Sequence, residues 1–234
     1  MLVTTQGFVL HVVNYSETSV IVKIFTRCLG VKSYIVKGVR SAKGRVRANL
    51  FQPLSFLDMV VYDNPKKSIN FIKDVHLDAS AASFGQHGAV NSALRFFMTE
   101  LLYKTLREDE PNIPLFDYVA MVQGSSDPRL PISFLLNVAG FLGVEPRNNY
   151  SEFSPFFDLN EASFQPRCGP SSIDAPLSFL LHGYLDSLSD LSLCPESGLQ
   201  DRIDLINILL HYYQLHVSDF KDFNSHDILH DVLR

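Results

Sequence analysis

Lys23, Arg27, Lys32, Lys37, Arg40, Lys43, Arg45 and Arg47 all fall within residues 18–57, a stretch with no Asp and no Glu. The chain as a whole is acidic, with 20 Lys and Arg against 25 Asp and Glu. Such a local inversion of sign is what a polyanion needs as a landing site. Phosphate binding asks for exposed cations and accessible backbone N–H groups. Residues 37–47 hold Lys37, Arg40, Lys43, Arg45, Arg47 and two glycines, and so offer both. Arg27 and Lys32 extend the same field. Tyr15, Phe25, Tyr34 and Phe51 lie on or near these segments. Any of them that faces solvent could stack on unpaired bases, and any that does not belongs to a core. For the cations, the alternative is a merely solvated loop.

Other chemistries fit less well. Gly38 and Lys43-Gly44 suggest a phosphate-binding loop of the G-x-x-x-x-G-K-[ST] type, but Arg45-Val46 stands where Lys-Ser/Thr is required. Cys168 and Cys194 have no Cys-x-x-Cys partner, which argues against zinc. His226 and His230 share a helical face, each followed by Asp, but two ligands without a third make a weak metal site. No G-x-S-x-G elbow is present, and His182 and His211 sit in apolar helical segments. No catalytic residue, metal or cofactor is assigned, and the chain reads as a non-enzyme.

The residues that position the cations belong to a β-rich stretch. Phe8–Val13, Ser19–Thr26, Val31–Val36, Leu50–Tyr62 (with a bend at Pro53) and Ile69–Val75 read as strands separated by turns, the pattern of a small barrel or sandwich. The basic loop 38–47 interrupts them and is expected to be exposed and mobile. Beyond residue 79 the period becomes helical. Helices are predicted over Val90–Leu106, Leu115–Val122, Leu130–Leu142, Ala175–Leu188, Leu199–His216 and Ser225–Leu233. Pro131 and Pro176 fall in first turns, and Gly143 lies near a helix end. The third helix is apolar nearly all round, through Phe134, Leu135, Leu136, Val138, Phe141 and Leu142. It is therefore either central to its domain or offers a surplus face to a partner. Residues 147–170 read as an irregular insert, a loop or loose hairpin.

The organisation is a β module, residues 1–78, followed by a helical domain, residues 79–234. The first carries net +6 and the second net −11, so a bound polyanion would be confined to one face. With 46% hydrophobic and 19% charged residues, the chain can bury a substantial core. No apolar run reaches the roughly 18 residues of a membrane span, and the first residues lack the pattern of a signal peptide. Three cysteines in no paired spacing fit a reducing compartment. The expectation is a soluble, cytoplasmic protein with no membrane partner.

The order and spacing of Phe8-Val-Leu-His, Tyr15-Ser-Glu-Thr-Ser19, Ile24-Phe-Thr26, Gly30, Val36-Lys-Gly-Val-Arg-Ser41 and Leu50-Phe-Gln-Pro53 resemble the N-terminal module of the bacterial RecO family. Phe134 to Leu142-Gly143 is similar to that family's central helical segment. The resemblance implies an OB-fold barrel followed by an all-α domain, and a nucleoid-associated recombination mediator of the RecF pathway. Family members bind single- and double-stranded DNA and anneal complementary strands. They act with RecR, engage the C-terminal tail of single-stranded DNA-binding protein and help load RecA.

The family's DNA-binding surface carries over most directly to Lys37 and Arg40, then by position to Lys43, Arg45 and Arg47. Many relatives hold a four-cysteine zinc module, which Cys168 alone cannot build. Relatives also place basic residues at the start of the central helix, where Pro131, Ile132 and Ser133 stand here. Arg129, with Phe134 and Phe141, is the nearest candidate for a partner site. The rival readings are an adaptor whose basic loop docks an acidic protein, and a nuclease, for which the nearest carboxylates, Glu17 and Asp58, lie outside the acid-free window.

Overall fold

The computed structural model describes residues 1–39, 48–78 and 88–233. These form two compact units, Met1–Gly124 and Ser125–Arg234.

The first unit is built on a closed five-stranded barrel in the order β1-β2-β3-β5-β4, closed by β4 on β1. Its strands are β1 (Leu2–Asn14), β2 (Val20–Thr26), β3 (Gly30–Val36), β4 (Phe56–Tyr62) and β5 (Ile69–Leu77). β3 and β5 pair in parallel and the other neighbours antiparallel. This is the OB-fold order, in agreement with the expected architecture. The long β1 serves both edges: Leu2–Phe8 pairs with β4, and Gly7–Asn14 with β2, past an irregularity between Val9 and His11. Alternation along the strands sends Val9, Val22, Ile24, Tyr34, Leu57, Met59 and Val61 inward to a continuous apolar core.

Two helices, α1 (Ala89–Thr105) and α2 (Ile113–Val122), belong to the same unit. Phe116 of α2 packs against Phe8, Phe25 and Phe56, with ring centroids 4.9–6.0 Å apart. The barrel strands end at Leu77, but the compact unit continues to Gly124 because these helices bury their apolar faces within it. The β2–β3 turn is fastened to the segment between the helices. Asp109 N–H donates to Val31 O at 3.2 Å, and a Cβ on Gly30 (φ +69°) would lie 2.6 Å from the Glu110 backbone. Only glycine fits that turn.

The second unit contains α3 (Leu130–Phe141), a short hairpin of β6 (Phe156–Asp158) and β7 (Ser163–Gln165), α4 (Ala175–Asp186), α5 (Leu199–His216) and α6 (Ser225–Leu233). The irregular insert thus contains a true hairpin, with Phe157 and Phe164 fully buried. α3 ends in a Schellman turn: Gly143 (φ +73°) donates to Gly140 O, and Val144 donates to Ala139 O. α3 is the central helix, with nine of twelve residues buried. Tyr213 of α5 donates its hydroxyl to Leu135 O at 2.7 Å. Among the described residues, no helix is long and apolar enough to cross a membrane.

Candidate nucleic-acid interface

The acid-free window is less free of acid in space than in sequence. The segment between α1 and α2, together with α2 itself, brings carboxylates back to three of its cations. Lys23 Nζ lies 2.7 Å from Glu108, and Lys32 Nζ lies 2.6 Å from Asp109 and 3.9 Å from Asp63. Arg27 grips Asp117 with two parallel bonds, at 2.9 and 3.1 Å. This forked geometry raises the Arg27 pKa and holds the Asp117 carboxyl below its usual range. The Lys32 side chain is only 12% exposed. Arg27 and Lys32, predicted as DNA contacts, are therefore engaged within their own unit, because the chain returns Asp117 and Asp109 to them from 90 and 77 residues away, respectively.

Lys37 is different. It follows β3, is exposed, and forms no ion pair among the described residues. Its ammonium stands 5.8 Å from the centroid of the Phe71 ring. The other predicted phosphate contacts, Arg40, Lys43, Arg45 and Arg47, lie outside the described residues.

Strand register places further groups beside Lys37. Ile35 is opposite Phe71 across the parallel β3–β5 pair, Phe71 is opposite Tyr62 on β4, and Tyr62 is opposite Leu2 on β1. Phe71 is 41% and Tyr62 50% exposed. Two aromatic rings thus stand in register on the outer wall of the barrel, flanked by Lys37. The β4–β5 turn at the same end carries Lys66 and Lys67, both exposed and neither in an ion pair among the described residues. Asn64 and Asn70 fix that turn. Lys66 N–H donates to Asn64 Oδ1, and Asn64 N–H donates to the buried Asn70 Oδ1. The β1–β2 loop, with Tyr15 62% exposed, closes onto Ser19 beside the Val20–Val36 pair, at the opposite end of β3 from the β4–β5 turn. In OB folds the loops joining β1 to β2 and β4 to β5 border the oligonucleotide face.

Of the four aromatics marked by sequence, Phe25, Tyr34 and Phe51 are buried in the core, and burial pushes the Tyr34 phenol up. Tyr15 alone is exposed. Sequence reasoning missed Tyr62, Phe71, Lys66 and Lys67. The signal was present in the turn Asn64-Pro-Lys-Lys and in the odd-numbered row Ile69, Phe71, Lys73 that follows it.

The predicted partner residues of the second unit are placed otherwise. Phe134 is wholly buried and has no surface to offer a partner, so it is a core residue. Phe141 is half-buried beside a groove that also holds Glu145. Arg129 donates to both oxygens of Asp127, to Cys194 O and to Glu196. The Asp127 pair raises the Arg129 pKa and lowers that of Asp127. Four hydrogen bonds from within the unit thus occupy its five-donor guanidinium. Among the described residues, no group of three His, Cys, Asp or Glu side chains has a geometry that could hold a metal. Cys168 is exposed and Cys194 buried.

The units differ sharply in charge. Met1–Gly124 holds 14 basic and 10 acidic side chains, net +4, while Ser125–Arg234 holds 6 and 15, net −9. The outer wall around Lys37, Phe71 and Tyr62 can meet a polyanion that also offers flat apolar faces. Nucleic acid with unpaired bases has both properties.

Comparison with known proteins points to one family. Residues 1–80 match the family described as "Recombination protein O N terminal". The DNA repair protein RecO of Phocaeicola vulgatus is 31% identical over 241 residues, covering 99% of each chain. That of Bacteroides fragilis is 30% identical over 244 residues, again covering 99% of each. That of Christiangramia forsetii is 28% identical over 239 residues with the same coverage.

Proposed function

The chain belongs to the RecO family, and on that premise we propose that it is a DNA repair protein, a non-catalytic recombination mediator that binds single- and double-stranded DNA through its barrel unit. The observation that carries the reading is the register of Phe71 with Tyr62 beneath the unpaired Lys37, next to Lys66 and Lys67. Phosphates meet the lysines and bases stack on the rings. The acidic second unit repels the same strand and keeps it on the barrel. Annealing follows from the same field. Two strands repel each other, and a cationic wall lowers that cost until base pairing begins. The family resemblance supports RecR and the tail of single-stranded DNA-binding protein as partners, RecA loading as the outcome, and a nucleoid-associated place in the cytoplasm.

Fluorescence anisotropy with a labelled oligonucleotide tests this. Each phosphate contact contributes about 0.7 to the log–log slope of affinity against salt for a single strand. Three lysines alone require a slope steeper than about −2. A flat salt dependence would contradict the proposal. It would favour instead an adaptor whose basic loop docks an acidic protein.

A further inference from the structure

A second cationic feature lies at the other end of the barrel. A groove of about 340 Å³ opens where the residues before β4, the end of β5 and α1 meet. Asn49, Gln52, Leu77, Arg95 and Phe96 are among its lining residues. Arg95 is half-buried, and burial lowers its pKa with no carboxylate to offset the cost. Its Nε donates only a long bond, 3.4 Å, to Pro53 O. Its two terminal nitrogens have no partner among the described residues. No acid occurs in the sequence of residues 40–47 or 79–87 either. A partly desolvated guanidinium without a counterion is costly and is relieved by a bound anion. Phe96 and Leu77, 46% and 44% exposed, give the same groove an apolar rim. Asn49 and Gln52 add amide groups that can bond a base edge.

We infer that this groove is a second subsite for a single nucleic-acid strand, with Arg95 taking a phosphate and Phe96 stacking a base. The inference rests on the proposed DNA binding of the barrel and extends its path. The Phe71 end and the Leu77 end of β5 lie roughly 20 Å apart at 3.3 Å per residue, within the reach of one strand on one OB fold. The chain that joins β3 to the groove, residues 40–47, carries Arg40, Lys43, Arg45 and Arg47 and no acid. Positive charge therefore runs in the sequence from one subsite to the other. An acidic protein segment is the competing occupant. It is disfavoured because the rim pairs base-bonding amides with a single cation rather than a cluster.

The test uses the full chain and DNA oligonucleotides of about 4 and about 16 nucleotides, the limits for one OB fold. Arg95→Gln keeps a donor for Pro53 O and removes the charge. It is expected to weaken binding of the longer strand about fivefold near 0.1 M salt and to flatten the salt slope by about 0.7. Binding of the shorter strand is left unchanged, and Arg95→Lys restores most of the loss. Phe96→Ala should weaken the longer strand without altering its slope. Unchanged affinity and slope in Arg95→Gln, against a wild type that keeps its steep salt dependence, would overturn the subsite and leave the Phe71 face standing. Loss of poly-glutamate binding alone in Arg95→Gln would also overturn it and assign the groove to an acidic protein. A flat slope in the wild type itself would instead sink the underlying proposal of DNA binding.

Discussion

The barrel unit and the helical unit both expose aromatic side chains, yet the first carries net +4 and the second net −9. Phe71 and Tyr62 face solvent on the barrel; Phe153 and Phe179, 86% and 61% exposed, do so in the helical unit. Exposed rings alone do not mark a nucleic-acid surface. The contrast lies in the charge that surrounds the rings. In the helical unit Arg129 is bound by two carboxylates and a carbonyl, and Arg202 donates to Ser197 O. Arg147 and Arg167 are exposed without an ion pair among the described residues, but they stand in a strongly acidic unit. In the barrel unit Lys37 stands beside the Phe71 ring, and Lys66 and Lys67 are exposed on the β4–β5 turn, none of the three in an ion pair among the described residues. Pairing then divides the barrel's own cations: Arg27 and Lys32 are held by carboxylates, and Lys37 has no ion pair among the described residues.

Several substitutions sharpen or break this contrast. Phe134→Ala removes a fully buried ring from the central helix of the helical unit. It should cost about 3–5 kcal/mol in denaturant unfolding. Oligonucleotide affinity of the still-folded protein should stay within about twofold, since this core residue touches no ligand. A large loss of affinity would move DNA to the helical unit. Replacing Lys37, Lys66 and Lys67 together by Ala should lower affinity about 100-fold near 0.1 M salt and flatten the slope by about 2. All sequences should be affected alike, because backbone contacts carry no base information.

Phe71→Ala should cost about tenfold in single-strand affinity with the slope intact, because stacking releases no counterion. Arg27→Ala should leave both affinity and slope unchanged, as its guanidinium already belongs to Asp117. A slope flattened by about 0.7 would return Arg27 to the interface. The smallest effect concerns acid. Asp127 has its pKa depressed by Arg129, so its stabilising contribution is present above the unfolded carboxyl value near 4. That contribution is lost as pH falls through the lower folded value. Thermal melts of Asp127→Asn should show a shallower loss of stability below about pH 4 than the wild type.

Much of the architecture was legible in the sequence because it rests on local periodicity. Leu199–His216 and Ser225–Leu233 coincide with the predicted helices, and Pro131, Pro176 and Gly143 marked ends correctly. β1 was predicted to begin at Phe8 but begins at Leu2. Val3-Thr-Thr-Gln offers little apolar signal, and pairing with β4 holds those residues in the sheet. Leu50–Tyr62 splits into a 3-10 turn at Ala48–Phe51 and β4, with Pro53 between them.

The interface was harder to read for two physical reasons. Charge counted along the chain cannot see that Asp117 returns to Arg27 across 90 residues. The usual rule of apolar inside and polar outside is also inverted in β5. Asn70 is buried, where it accepts a turn N–H, and Phe71 is exposed. The row Ile69, Phe71, Lys73 was therefore readable as one face, but apolarity alone assigned that face to the core rather than to solvent. Lys37, predicted from its motif, stands beside them.

Photocrosslinking of a single-stranded oligonucleotide to the intact protein, with adducts located by peptide mass spectrometry, addresses the division of labour most directly. The account predicts adducts confined to residues 1–124 and centred on Tyr62, Phe71 and their neighbours. Adducts concentrated in Ser125–Arg234, with Tyr62 and Phe71 unmodified, would contradict it.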